Sequence, residues 1–89
     1  MKVQYFDWDE VNEDHIARHG VDTDEVEEVF IRRHRLYRSR EGRYVVLGQS
    51  MGGRYLMIVL EQKEHGEIRV VTARDMSEKE RRRFKREVS

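Results

Sequence analysis

The chain has no cysteine, which removes both a disulfide framework and any thiolate metal site. It has no proline either, so its turns must rest on six glycines and on polar residues. No run approaches the roughly 18 consecutive apolar residues of a membrane-spanning helix. The opening segment "MKVQYFDWDE" lacks the apolar stretch of a secretory signal. These absences together point to a cytoplasmic protein that does not touch a membrane. Apolar residues are also scarce, at 37% against 40% charged. Eighty-nine residues therefore make a single domain, 1–89, with a thin core: one sheet face covered by helices.

The formal net charge is zero, but the charges are not evenly spread. Residues 1–30 hold ten acids and two bases, a local charge of −8, and residues 31–89 carry the compensating +8. Asymmetry of this kind marks a surface for nucleic acid or for an acidic partner. The competing reading is mutual neutralisation by surface ion pairs, each worth about 0–1 kcal/mol.

"KVQYF" (2–6) reads as a short strand. Asp7 or Asp9 then caps a helix whose inward stripe is Trp8, Val11, His15/Ile16 and His19. Gly20 suits the positive φ with which a chain leaves a helix. A second helix starts near Asp22–Thr23 and turns Val26, Val29 and Phe30 inward, with its acids in the first turns. Beyond residue 35 the apolar period becomes that of strands: "RLYRS", "RYVVLGQS", "RYLMIVLE" and "IRVVTAR", separated by turns at Arg40–Gly42, "MGG" and "KEHGE". Short links make consecutive strands antiparallel neighbours. Ser77 and Glu80 form the capping box of a last helix, anchored by Met76, Phe84 and Val88 and otherwise crowded with cations. The expected fold is α+β: an antiparallel sheet of four to five strands, two N-terminal helices and one basic C-terminal helix, with the helices on one face.

Three blocks of sequence resemble one family. "FDWDEVNEDHIARHGVDTDEVEEVF" is similar to the opening of BrnT-type toxins of bacterial type II toxin–antitoxin systems, through Trp8–Asp9, Arg18–His19–Gly20–Val21 and Val29–Phe30. "RYVVLGQSMGGRYLMIVL" looks like the strand pair of that family, and "IRVVTARDMSEKERRRF" like its closing motif. The resemblance implies a RelE-like fold and a ribonuclease that needs no metal or other cofactor. It also implies RNA, mRNA in particular, as substrate, inhibition of growth, and neutralisation by a cognate antitoxin in a hetero-oligomer. A non-catalytic RNA- or protein-binding module of the same fold is the alternative.

Cutting RNA without a metal requires a base for the 2′-hydroxyl, cations for the pentavalent phosphate, and a proton for the leaving oxygen. Arg74 is the first candidate for the phosphate, because it ends a strand just before a helix N-terminus; an ion pair with Asp75, Glu78 or Glu61 is the structural alternative. Arg54, after the hairpin glycines, is a second cation. His19 is the leading base, since imidazole titrates near neutrality, although a helix-capping role fits its position equally. Glu61 offers a carboxylate base at a strand exit. His34 and His65 fall in charged, loop-like surroundings, and Tyr44 and Tyr55 can stack on a base or pack on the sheet. Arg69, Arg81, Arg82 and Lys85 are expected to bind RNA. Arg69 and Arg74 are five positions apart, so they share a face only across a bulge. His15 and His19, one helical turn apart, lack a third ligand at metal-binding spacing.

Overall fold

The computed structural model describes Val3 and residues 5–88. The elements run β1 (Tyr5–Phe6), α1 (Glu10–Ala17), α2 (Thr23–Ile31), β2 (His34–Arg38), β3 (Arg43–Gln49), β4 (Tyr55–Gln62), β5 (Glu67–Asp75) and α3 (Glu78–Val88). Of the expected first strand, Lys2 and Gln4 lie outside the described residues. The five strands form one sheet in the order β1-β5-β4-β3-β2. The expected antiparallel pairing holds from β2 to β5. β1 instead runs parallel to β5. The rule of short links says nothing about β1 and β5, which the rest of the chain separates.

Helices cover both faces of the sheet, not one as expected. The reason is in the central strands. "VVLG" in β3 and "LMIVL" in β4 are apolar at odd and even positions alike, so each side of the sheet needs cover. On one face Val46, Leu56, Ile58, Leu60, Ile68, Val70 and Ala73 pack under Ile16, Val26 and Val29 of α1 and α2. On the other, Leu47 and Met57 pack under Met76 and Phe84, which seat α3. Close approach is greatest at Gly48, where a Cβ would lie 2.6 Å from Cγ1 of Val29. α2 can cross β3 there only because the side chain is missing.

Register carries one irregularity. Val59 pairs with Thr72 and Leu60 with Val70, which leaves Val71 as a bulge in β5. The extra residue puts Arg69 and Arg74 on the same face, opposite Ile68, Val70 and Ala73.

The phase of α1 also differs from the expected stripe. Asp9 is the N-cap, and Ile16 and Asn12 are the residues turned inward. Val11 is 73% exposed, and His15 and His19 also face water. An apolar period could not announce a buried asparagine. Asn12 earns its place with hydrogen bonds: its Nδ2 donates to the carbonyls of Asp7 (2.9 Å) and Val70 (3.1 Å), and its Oδ1 accepts from the Asp9 N–H at 2.8 Å. One polar side chain thus completes the capping box and ties α1 to β5.

Candidate active site

Several cations line adjoining clefts where β4 begins, β5 ends and α3 starts. Ser77 opens α3 as expected, its Oγ accepting from the Glu80 N–H (3.2 Å) while Glu80 accepts from the Ser77 N–H (2.8 Å). The cap sets the helical phase that turns Phe84 onto the sheet and places Arg81 and Lys85 above Tyr55. The Arg81 guanidinium lies 4.4 Å from the Tyr55 ring centre and the Lys85 ammonium 5.2 Å from it. Phe84 meets the same ring edge-on at 6.1 Å. Among the described residues neither Arg81 nor Lys85 forms an ion pair. Two clefts that share Met76 and Arg81 open beside them. One, of 350 Å³, runs along Arg54, Tyr55 and Asp75; the other, of 440 Å³, along Glu78, Arg82 and Lys85. The ring quadrupole draws both cations onto one spot that water and a phosphate can reach.

Arg74 lies at the rim of this site and is engaged. Its guanidinium forks onto Glu80 at 2.9 and 3.1 Å and also donates to the Asp75 carbonyl. The anion partner differs from the three considered in the sequence, because Glu80 reaches back from the first turn of α3. Partial burial pushes the Glu80 carboxyl up, but the Arg74 guanidinium and the Ser77 N–H outweigh it and hold the group below its ordinary range. The capping box and the Arg74 fork therefore share one carboxylate.

Arg54 is more tightly held. It donates to Asp75 (2.7 Å), to Glu25 (3.1 Å) and to the carbonyls of Gly20 (2.6 Å) and His19 (3.3 Å). Asp75 and then Glu25 raise the guanidinium further, and the same contact pulls the Asp75 carboxyl down. This side chain closes the C-terminal end of α1, the start of α2 and the end of β5 into one corner. It lines the cleft, but all its directions of donation are spent within the chain.

The other candidates do not converge here. His19 reaches the corner through its carbonyl; its exposed imidazole lies 5.8 Å from that of His15. The two histidines belong to no group of three ligands that could hold a metal among the described residues. Glu61 sits opposite Arg69 and Arg43 near the far end of β4, about 20 Å along the strand from Tyr55. Arg69 shares a face with Arg74, as the bulge allows, yet is bound by Asp9 and Asp7 at 3.0–3.1 Å. Asp9, then Asp7, raise its guanidinium, and Arg69 lowers the Asp9 carboxyl. Arg82, expected to bind RNA, forms an i,i+4 pair with Glu78 at 3.3 Å. His34 turns Nδ1 to the Arg32 carbonyl, and His65 is solvated beside Glu64. A hollow of 820 Å³ lies near Glu61 and is lined by Lys63, Glu64 and Glu67 among others. Its acids offset its lysine, so it offers phosphate no net attraction.

Sequence reasoning missed the anions carried by other elements: Glu80 for Arg74, Glu25 for Arg54, and Glu87 for Tyr37 and Arg35. Nothing in local spacing signals pairs between elements. Mutual neutralisation of the two halves is thus part of the answer, through Arg69 with Asp7 and Asp9 and through Arg54 with Glu25.

Comparison with known proteins agrees with the resemblance read from the sequence. Residues 8–80 match the family described as the ribonuclease toxin BrnT of type II toxin–antitoxin systems. The crystal structure of the Brucella abortus ribonuclease toxin BrnT superposes with a TM-score of 0.67, covering 88% of this chain and 99% of that one at 21% identity. That likeness establishes the shared fold. No curated protein sequence matches the chain. With the family pattern spanning most of its length, the chain belongs to the BrnT family of ribonuclease toxins.

Proposed function

We propose that the chain cleaves RNA without a metal, inhibits growth by cutting mRNA in the cytoplasm, and is silenced by a cognate antitoxin in a hetero-oligomer. The observation that carries this reading is the pair Arg81 and Lys85, both held over Tyr55 and, among the described residues, in no ion pair with a carboxylate. A phosphodiester in the adjoining clefts would meet two unspent positive charges. As the 2′-hydroxyl gives its proton to water and its oxygen attacks phosphorus, the bond to the 5′-oxygen breaks and that oxygen takes a proton from water. Charge on the non-bridging oxygens grows meanwhile, and cations already in place stabilise that state more than the ground state. Tyr55 lines the 350 Å³ cleft, and its hydroxyl would serve there as hydrogen-bond donor to a phosphate oxygen. Arg54 and Arg74 act as positioning residues: they fix the corner and the start of α3 on which Arg81 and Lys85 are carried.

A second reading, the non-catalytic module, draws on one observation. The base candidates His19 and Glu61 do not line the clefts, and the acids that do, Asp75 and Glu78, are paired with Arg54 and Arg82. Expression in bacteria separates the two. The chain alone is expected to arrest growth and shorten cellular RNA, and the Arg81→Ala/Lys85→Ala variant to do neither. Arrest should lift when the antitoxin from the neighbouring reading frame is co-expressed. Unaltered arrest in the double variant would remove the cleft from the mechanism, and no arrest by the wild-type chain would favour the binding module.

A further inference from the structure

β2 is the open edge of the sheet: among the described residues it pairs with β3 and with no other strand. Its direction of hydrogen bonding follows from one contact. The Ser39 N–H donates to the Arg43 carbonyl at 2.8 Å, so Ser39 points inward. Residues alternate in an antiparallel pair, which turns Tyr37 and Arg35 inward and leaves the N–H and C=O groups of His34, Leu36 and Arg38 pointing outward. The free groups recur about every 6.8 Å, the repeat of a further strand.

The edge is also strongly cationic. "RRHRLYRSREGR" (32–43) holds six arginines and one glutamate. Arg32 donates to the Ser50 carbonyl, Arg33 to that of Val88, and Arg35 pairs with Glu87, all within the chain. These contacts hold β2 in its extended form, so a new strand meets an edge already ordered and avoids that entropic cost. Arg38 and Arg40 are exposed, and among the described residues neither forms an ion pair.

We infer that the β2 edge receives an extended, acidic segment of a partner protein as a sixth strand, with its carboxylates on Arg38 and Arg40. Charge decides against a second copy of this chain, since β2–β2 pairing would bring together two segments that each hold six arginines and one glutamate. The interleaved carbonyls decide against RNA. Phosphate oxygens only accept, and the 2′-hydroxyls do not recur at the spacing of the outward C=O groups, whereas a peptide strand brings one N–H and one C=O to each outward pair. The proposal goes beyond RNA cleavage and concerns the β2 edge, which β3 separates from β4 and β5, so each can fail without the other.

A peptide of alternating glutamate and threonine, about ten residues long, spans the edge in either register. Amide hydrogen exchange of the intact chain reads the result. The peptide should slow exchange at His34, Leu36 and Arg38 selectively, because Tyr37 is already bonded inward. The same peptide N-methylated at alternate residues keeps its charge and should not protect them. The Arg38→Glu/Arg40→Glu variant should bind roughly ten-fold more weakly, a loss of about 1.4 kcal/mol, and a lysine–threonine peptide should restore binding to it. No protection by the acidic peptide overturns the proposal, as does equal protection by the N-methylated one. Protection by an oligouridine in place of the peptide would assign the edge to nucleic acid instead.

Discussion

At the scale of the residue, Arg54 and Glu80 show how little of a side chain's role is set by its own type. Arg54 looks like a free cation after a glycine turn, yet four acceptors from the α1–α2 turn, α2 and β5 claim it. Arg54→Ala is expected to cost about 2 kcal/mol in denaturant unfolding, the scale of hydrogen bonds to charged groups. Arg54→Lys should recover little of this, because an ammonium cannot fork between carbonyls and carboxylates. Retained stability in the alanine variant would show that the corner does not depend on the guanidinium. Glu80 gives a pH signature. Its carboxyl is held below the ordinary value in the folded chain, so its contribution is complete above the unfolded value, about pH 4.3. That contribution falls away as pH drops through the lower, folded value. Wild-type melting temperature should therefore decline below about pH 4, and Glu80→Gln should flatten that decline while lowering stability at pH 7. Equal acid slopes in both proteins would contradict the assignment.

At the scale of the element, two helices depend on single contacts. α2 lies on β3 where Gly48 leaves no room for a Cβ beside Val29. Gly48→Ala should cost about 1–3 kcal/mol through forced displacement of α2, read by chemical denaturation. α3 has Phe84 as its one deeply buried side chain. Phe84→Ala should cost about 3–5 kcal/mol and release Arg81 and Lys85 from Tyr55. Elements of this kind were legible in the sequence where a local signal existed. The capping residues Asp22 and Ser77, the positive φ of Gly20 and the strand alternation all belong to that class. The inward stripe of α1 was not legible, because Asn12 is buried for its hydrogen bonds and an apolar count passes over it. Placement of α3 on the second face was encoded in the double-sided apolar strands, but its expression depends on how the sheet is covered. Parallel β1 left no trace, since pairing between the first and last strands is not local.

At the scale of the whole molecule, the −8 and +8 halves do not simply face each other. Asp7, Asp9 and Glu25 consume Arg69 and Arg54, and α3 keeps Arg81 and Lys85 unspent. The basic helix was visible in the sequence; which of its cations stay free was not, because that depends on anions carried by other elements. If Arg81, Arg82 and Lys85 each meet one phosphate, RNA affinity should fall with salt at a logarithmic slope of about −2. Replacing Arg81 and Lys85 with alanine should reduce that slope by about 1.4, while Arg69→Ala should leave it unchanged. The most direct measurement compares a purified all-ribose oligonucleotide with its all-deoxyribose counterpart, in chelator, for the wild-type chain and for Arg81→Ala/Lys85→Ala. The account predicts that wild type binds both, cuts only the ribose strand to a 2′,3′-cyclic phosphate, and loses at least about 100-fold of that rate in the double variant. Cutting of the ribose strand at an unchanged rate by the folded double variant would contradict it.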